Sequence, residues 1–484
     1  MRILIFITMA VVFAYPAKGQ TCNCESNFEW LKTTFEENDA GFQYIIDKKG
    51  QSAYNIHNQL MLEKVMTTKT LTECTALLNE WLKFFRSGHI GIESLINEPI
   101  TSKNLSQPAN SAEYEKLNVE IPKFEEYINE KKEVDFEGIW QTGNYKIGIK
   151  KEGMNYIGFI IESDVDGWRE PGLVKLKIEQ DGGILKTTYY MRDHSSVICS
   201  EPEWLSNNYI RVNQQILKRL KPTFEDDPLM DNYLKAISSQ VPYIEKLNST
   251  TLYLRIPSFD QNQKRAIDSV ILTNKDIILK TENLIIDIHN GGGGSDASYR
   301  EILPLLYTNP IRTVRVEFLS TTQNNKRLLD FANNPEYQEF FDEKARQRFK
   351  EDYEKLQGRL GEFVNLSSDV VGITKYDTIY DFPKNIGIII NERNGSTDEQ
   401  FLLAAKQSKK VKLFGTTTFG ALDISNMYFV DSPRKEFRLH YCLTRSLRIP
   451  GMIIDDIGIQ PDYYLDKTIS HYKWVEFVNN ILNQ

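Results

Sequence analysis

Hydrophobic residues recur along this chain in two rhythms, and the change of rhythm divides it. From about 21 to 132 the spacing is helical. Phe28, Leu31 and Phe35 fall on one face behind the capping box Ser26-Asn27-Phe28-Glu29. Leu71, Cys74, Leu78, Trp81 and Phe85 form a second stripe behind Thr70-Leu71-Thr72-Glu73. Gly88 stands where a left-handed stop residue is expected, and the extended segment His89-Ile90-Gly91-Ile92 follows. His89 therefore belongs at a helix-to-strand corner.

Between 133 and 225 the pattern becomes short alternating stretches, Tyr145 to Lys150, Tyr156 to Ile161, Leu173 to Ile178 and Leu185 to Met191. The turns Lys151-Glu152-Gly153, Asp166-Gly167 and Asp181-Gly182-Gly183 separate them, which predicts an antiparallel meander or small barrel. From 230 to 484 brief apolar runs alternate with helical stretches, the signature of α/β architecture. The runs Thr251 to Leu254, Leu284 to Ile288, Ile386 to Ile390 and Val411 to Phe414 have the character of buried strands. The charged stretch Glu336 to Phe363 reads as a surface insertion and a candidate cover over a cleft.

Composition narrows the function classes. With 58 basic against 66 acidic residues the net charge is −8, which argues against general nucleic-acid binding. Arg2, the apolar stretch from Ile3 to Tyr15 and Ala17-Lys18-Gly19-Gln20 form a secretory signal pattern over residues 1–20. That stretch is shorter than the roughly 20 residues a bilayer-crossing helix needs, and no later one reaches that length. The expectation is an exported protein, periplasmic or extracellular, without a membrane span. Export makes the five cysteines candidates for disulfides, with Cys22 or Cys24 joined to Cys74; Cys74 could instead simply be buried on its apolar stripe. Metal is not expected, because Cys22 and Cys24 lack a second paired ligand set at finger-like spacing.

Three loops of the last region each follow a predicted strand, where α/β sheets gather functional groups. In His289-Asn290-Gly291-Gly292-Gly293-Gly294-Ser295, successive glycines let the backbone approach a ligand and aim amides at developing negative charge. The spacing fits neither the phosphate-binding nor the dinucleotide-binding pattern, so no cofactor is expected. Asn394-Gly395-Ser396-Thr397-Asp398-Glu399 has two readings. Ser396 and Glu399 satisfy a helix capping box, and Ser396 could also be a nucleophile beside the Thr397 amide at a positive helix end. Asp455-Asp456 in the third loop, read with Ser396 and His89, could complete a nucleophile, base and orienter set. Asn394-Gly395-Ser396 is also a glycosylation sequon by pattern.

The motifs running from Leu284 to Gly294, Ile388 to Glu399, Phe414 to Gly420 and Gly458 to Asp462 together resemble the core of the tail-specific, or carboxyl-terminal-processing, serine peptidases. The match spans roughly residues 245 to 466. The resemblance implies a ClpP/crotonase-type α/β catalytic core, behind an N-terminal helical domain and a middle antiparallel β domain. It implies Ser396 as acylating nucleophile, with an oxyanion hole from the Thr397 amide and a glycine amide at Gly292 or Gly293. In the tail-specific branch a lysine base follows the Thr-x-Phe-Gly stretch; here Ala421 holds that place. The tricorn-core relatives use a histidine from an amino-terminal segment instead. Phe84 to Ile92 resembles that segment, which makes His89 the base, with Asp455 where the family's glutamate would be and Asp456 as an alternative orienter. Residues 133 to 222 carry no version of the PDZ loop that relatives use to capture a terminal carboxylate. The expected activity is endopeptidase cleavage of a polypeptide substrate. A non-catalytic ligand-binding protein on the same scaffold is the alternative, and an esterase would share the chemistry.

Overall fold

The computed structural model describes residues 23–96, 114–181, 184–199, 201–338, 340–367 and 369–484. The predicted signal segment, Cys22 and the Gly182-Gly183 turn lie outside the described residues. The chain falls into two compact units, one formed by the segments up to Ile96, Arg312–Gly372 and Gly420–Ile457, the other by Asn97–Ile311, Ile373–Phe419 and Gly458–Gln484.

In the first unit, helices Cys24–Asn38, Phe42–Lys49, Gln51–Thr67 and Leu71–Leu82 bury the aromatic stripes read from the sequence. Phe28, Phe35, Trp81 and Phe85 share one cluster with Leu439 and Tyr441 of the long strand Phe437–Ser446. That strand pairs antiparallel with Gly91–Ser94, Ile424–Asp431 and Val316–Leu319. Thr70 caps its helix as expected, accepting from the Glu73 amide at 3.2 Å. The Ser26 box does not form. Asn23 caps instead, its side chain accepting from the Ser26 amide at 3.1 Å, because the helix already begins at Cys24 and Ser26 lies within its first turn. The charged segment is helical over Glu343–Gln357, capped by Asp342, and packs Phe349 against Phe331 with ring centroids 5.3 Å apart.

Cys24 is disulfide-bonded to Cys74, joining the first helix to the fourth across 50 residues of sequence.

The second unit contains two sheets among the described residues. The nine-stranded one is antiparallel throughout, running from Gly138–Thr142 to Gln215–Lys221, with alternating inward residues such as Ile147, Ile149, Leu176 and Ile178 in its core. The six-stranded one takes the order Tyr243–Lys246, Thr251–Arg255, Asn283–Asp287, Asn385–Ile390, Val411–Gly415 and Tyr463–Tyr464. Its first pair is antiparallel and the rest are parallel. The parallel strands are apolar on both faces because both are covered: Ile285, Ile389 and Phe414 pack on helix Trp474–Leu482. Chain reversals at the carboxyl ends of two adjacent strands, Asn283–Asp287 and Asn385–Ile390, place the glycine turn and the Ser396 corner side by side.

Replacing both Cys24 and Cys74 with Ala should cost the first unit about 2–4 kcal/mol. Chemical denaturation under oxidising conditions measures this, and a midpoint equal to the parent's would contradict the structural role of the bond.

Candidate active site

The second unit holds the Ser396 corner. Helix Thr397–Ala405 starts directly after Ser396, yet the Ser396 side chain makes no capping hydrogen bond. The backbone there has φ 58° and ψ −122°, a region disfavoured for a residue with a β-carbon. The capping-box reading is thereby corrected: this backbone geometry turns the hydroxyl away from the first-turn amides. Glu399, the other half of that box, is buried and accepts from the Thr418 hydroxyl at 2.5 Å.

The glycine turn is pressed against this corner. At Gly293, φ is 88°, and a β-carbon would stand 2.8 Å from the Ser396 β-carbon and 2.9 Å from the Gly395 carbonyl oxygen. At Gly294 a β-carbon would run into the Phe259 backbone at 2.2 Å. No backbone carbonyl accepts from the Thr397 amide among the described residues. Behind the turn lies Asp398, fully buried, whose carboxylate accepts from the Asn394 side chain at 2.8 Å. Burial pushes its pKa up to about 7, against the downward pull of that bond and of the nearby Gly293 and Gly292 amides. Asn394 also donates to the Ile288 carbonyl at 2.7 Å and is buried. The sequon nitrogen is therefore committed inside the fold and closed to glycosylation.

The first unit holds the histidine corner. His89 rather than Gly88 takes the left-handed conformation, with φ 54°. The reason is the buried Arg86, which the sequence reading passed over. Arg86 grips Asp39 through two bonds of 2.8 and 2.6 Å and donates to the carbonyls of Gly88 at 3.1 Å and His89 at 3.0 Å. Asp39 in turn accepts the Gly41 and Cys442 amides. No sequence motif marks this pair; its partners are 47 residues apart.

His89 Nδ1 lies 2.8 Å from the Ile424 carbonyl oxygen, to which it can only donate. That leaves the lone pair on Nε2, the tautomer a general base requires. Burial lowers its pKa, partly opposed by the Ile424 carbonyl and the Asp455 charge.

The Nδ1 bond expected of Asp455 is thus made by a backbone carbonyl. Asp455 spends its carboxylate on the amides of Leu422, Asp423 and Ile424, at 2.5, 2.6 and 3.0 Å, and so fixes the strand that presents the Ile424 carbonyl. Asp456 accepts from the Ser87 hydroxyl at 3.0 Å.

Because a methyl group cannot be placed at Gly293 without moving Ser396, Gly293→Ala should destabilise the second unit by about 1–3 kcal/mol and depress any turnover that uses Ser396 well beyond that loss of folded protein. Thermal unfolding alongside turnover per folded molecule separates the two effects; unchanged turnover would contradict the close packing.

Comparisons with known proteins bear on what these corners do. Residues 250–465 match the family model described as Peptidase family S41. None of the curated proteins matches the chain. Among solved structures, mature CPAF complexed with lactacystin aligns at TM-score 0.53 and 13% identity over 95% of this chain and 97% of that one, a shared fold. The tricorn protease aligns at TM-score 0.41 and 13% identity, over 95% of this chain and 36% of that one. The photosystem II D1 C-terminal processing protease aligns at 0.39 and 12%, over 95% and 97%. The matched segment carries both the glycine turn and Ser396, and over these residues the chain is similar to the peptidases of family S41.

Proposed function

We propose that this chain is an exported endopeptidase that cleaves polypeptides through an acyl-enzyme on Ser396, with His89 as the general base. The six-stranded sheet and its helices are read as a ClpP/crotonase-type core spanning 230–484, with 21–132 supplying the base and 133–225 a separate β-rich domain. The observation that carries the reading is the Ser396 corner, a hydroxyl held at positive φ at a helix start and not consumed as a cap.

In the proposed reaction His89 Nε2 takes the Ser396 proton as Oγ attacks the scissile carbonyl. The Thr397 amide and a glycine amide from Gly292 or Gly293 stabilise the oxyanion. The imidazolium returns its proton to the leaving amine as the C–N bond breaks, and water activated by the same nitrogen hydrolyses the ester. Asp455 acts at one remove, positioning the Ile424 carbonyl that selects the tautomer. Ala421 in place of the branch's lysine leaves the base role to histidine, as in the tricorn-core arrangement. Export, to the periplasm or the extracellular space, is supported by the leader pattern and by the Cys24–Cys74 bond, which persists in oxidising compartments.

The absence of the lysine also favours one rival, a ligand carrier on the peptidase scaffold. A serine-directed phosphonate separates the two. Labelling of Ser396, with a fall in cleavage of about 10⁴-fold or more in Ser396→Ala, is the expected result; saturable ligand binding without labelling supports the carrier, and cleavage by Ser396→Ala at the parent rate removes Ser396 from the chemistry.

The pH profile follows from the sign of the His89 shift. A base works in its deprotonated form, and a lowered pKa extends that form to lower pH. The acid limb of kcat/KM should therefore fall below pH 6.5, the ordinary imidazole value, and disappear in a His89 variant. A limb above pH 7, or one that survives the substitution, would contradict the role.

A further inference from the structure

Away from Ser396, the second unit encloses a cavity of about 250 Å³ between the six-stranded sheet and helices Leu229–Ser238 and Trp474–Leu482. Its walls combine aromatic and aliphatic side chains, Tyr233, Tyr253, Trp474 and Ile389 among them, with polar ones that include Asn232 and Glu476. Its floor is a buried charge network. Asp287 accepts from the Tyr253 hydroxyl at 2.6 Å and from His289 Nδ1 at 2.5 Å, and pairs with Arg255 at 3.3 Å.

That network leaves a ring nitrogen unmet at the cavity. His289 is 7% exposed and lines the cavity, and its Nε2 is buried with no hydrogen-bond partner among the described residues. Since Nδ1 donates to Asp287, Nε2 bears the lone pair and can only accept. Burial holds the imidazole pKa down, in keeping with the neutral ring. A buried acceptor without a donor is costly, and buried polar groups ordinarily find partners. Within the network Arg255 also donates to the carbonyls of Ala236 and Asp287. The missing partner must therefore come from whatever fills the cavity.

We infer that this cavity is a binding site for a compact aromatic group carrying a single hydrogen-bond donor, a phenol or an indole, whose O–H or N–H meets His289 Nε2. The volume suits it, since an engineered apolar cavity of about 150 Å³ already admits benzene. The aromatic part of the wall supplies offset and edge-on contacts, and the buried, unpartnered acceptor supplies orientation. The proposal is independent of the Ser396 chemistry.

Isothermal titration calorimetry on the full chain with indole and with N-methylindole tests it. The two share shape, and only indole has a donor. Saturable binding of indole, at least about tenfold tighter than N-methylindole, is expected for one oriented hydrogen bond to a buried acceptor. Ala236→Leu, which fills the cavity from its wall, should abolish that binding. Should that variant fail to fold, the ligand pair on the parent protein still decides. No indole binding at millimolar concentration would mean that the cavity holds solvent only, and equal affinity for the two ligands would mean that Nε2 is not the contact; either overturns the proposal. An amidated Gly-Trp-Gly peptide distinguishes sources: binding comparable to indole assigns the site to a polypeptide side chain, and binding by indole alone to a free small molecule.

Discussion

Both side chains of the proposed proton transfer stand on backbone that a β-carbon disfavours, His89 at φ 54° and Ser396 at φ 58°. Such conformations persist only where surrounding contacts over-determine them, and in each unit those contacts are buried. Around Ser396 they are steric: the glycine turn approaches so closely that only hydrogen fits at Gly293. Around His89 they are electrostatic, with the Arg86–Asp39 pair tying down the carbonyls on both sides of the corner. Different physics serves the same end, a functional group held out from the chain in one orientation.

Carboxylates do most of this holding, and none of the principal ones touches the proposed reaction. Asp39 grips an arginine, Asp455 gathers three backbone amides, and Asp423 pairs with Arg448 at 2.8 Å while accepting the Asp455 amide. Asp398 stands behind the glycine turn with its pKa raised to about 7. The histidine tautomer is consequently selected by a peptide carbonyl rather than by an acid, which leaves the imidazole less basic than a direct ion pair would make it.

Much of the fold was legible because its signals are local. Continuous apolar runs at Thr251 to Leu254, Leu284 to Ile288, Ile386 to Ile390 and Val411 to Phe414 mark strands buried on both faces, and strands are found there to within a residue. Thr70 caps its helix, and Cys24 pairs with Cys74. What escaped the sequence is long-range. Ser396 has the spacing of a capping residue but not its function, because the glycine turn, about a hundred positions away, dictates the backbone there. Gly88 looked like the left-handed residue by composition, but Arg86 and Asp39 assign that conformation to His89. Asp455 was readable as a carboxylate near the right turn; that it would serve amides rather than an imidazole depends on the path of Leu422 to Ile424.

The central claim is a proton transfer from the Ser396 hydroxyl to His89 Nε2. Its most direct test is a crystal structure of the protein carrying a phosphonate on Ser396. The account requires Nε2 within about 3.2 Å of Ser396 Oγ or of the leaving-group oxygen position, with Nδ1 still on the Ile424 carbonyl. A phosphonylated Ser396 with another side chain, or none, in that place would contradict it.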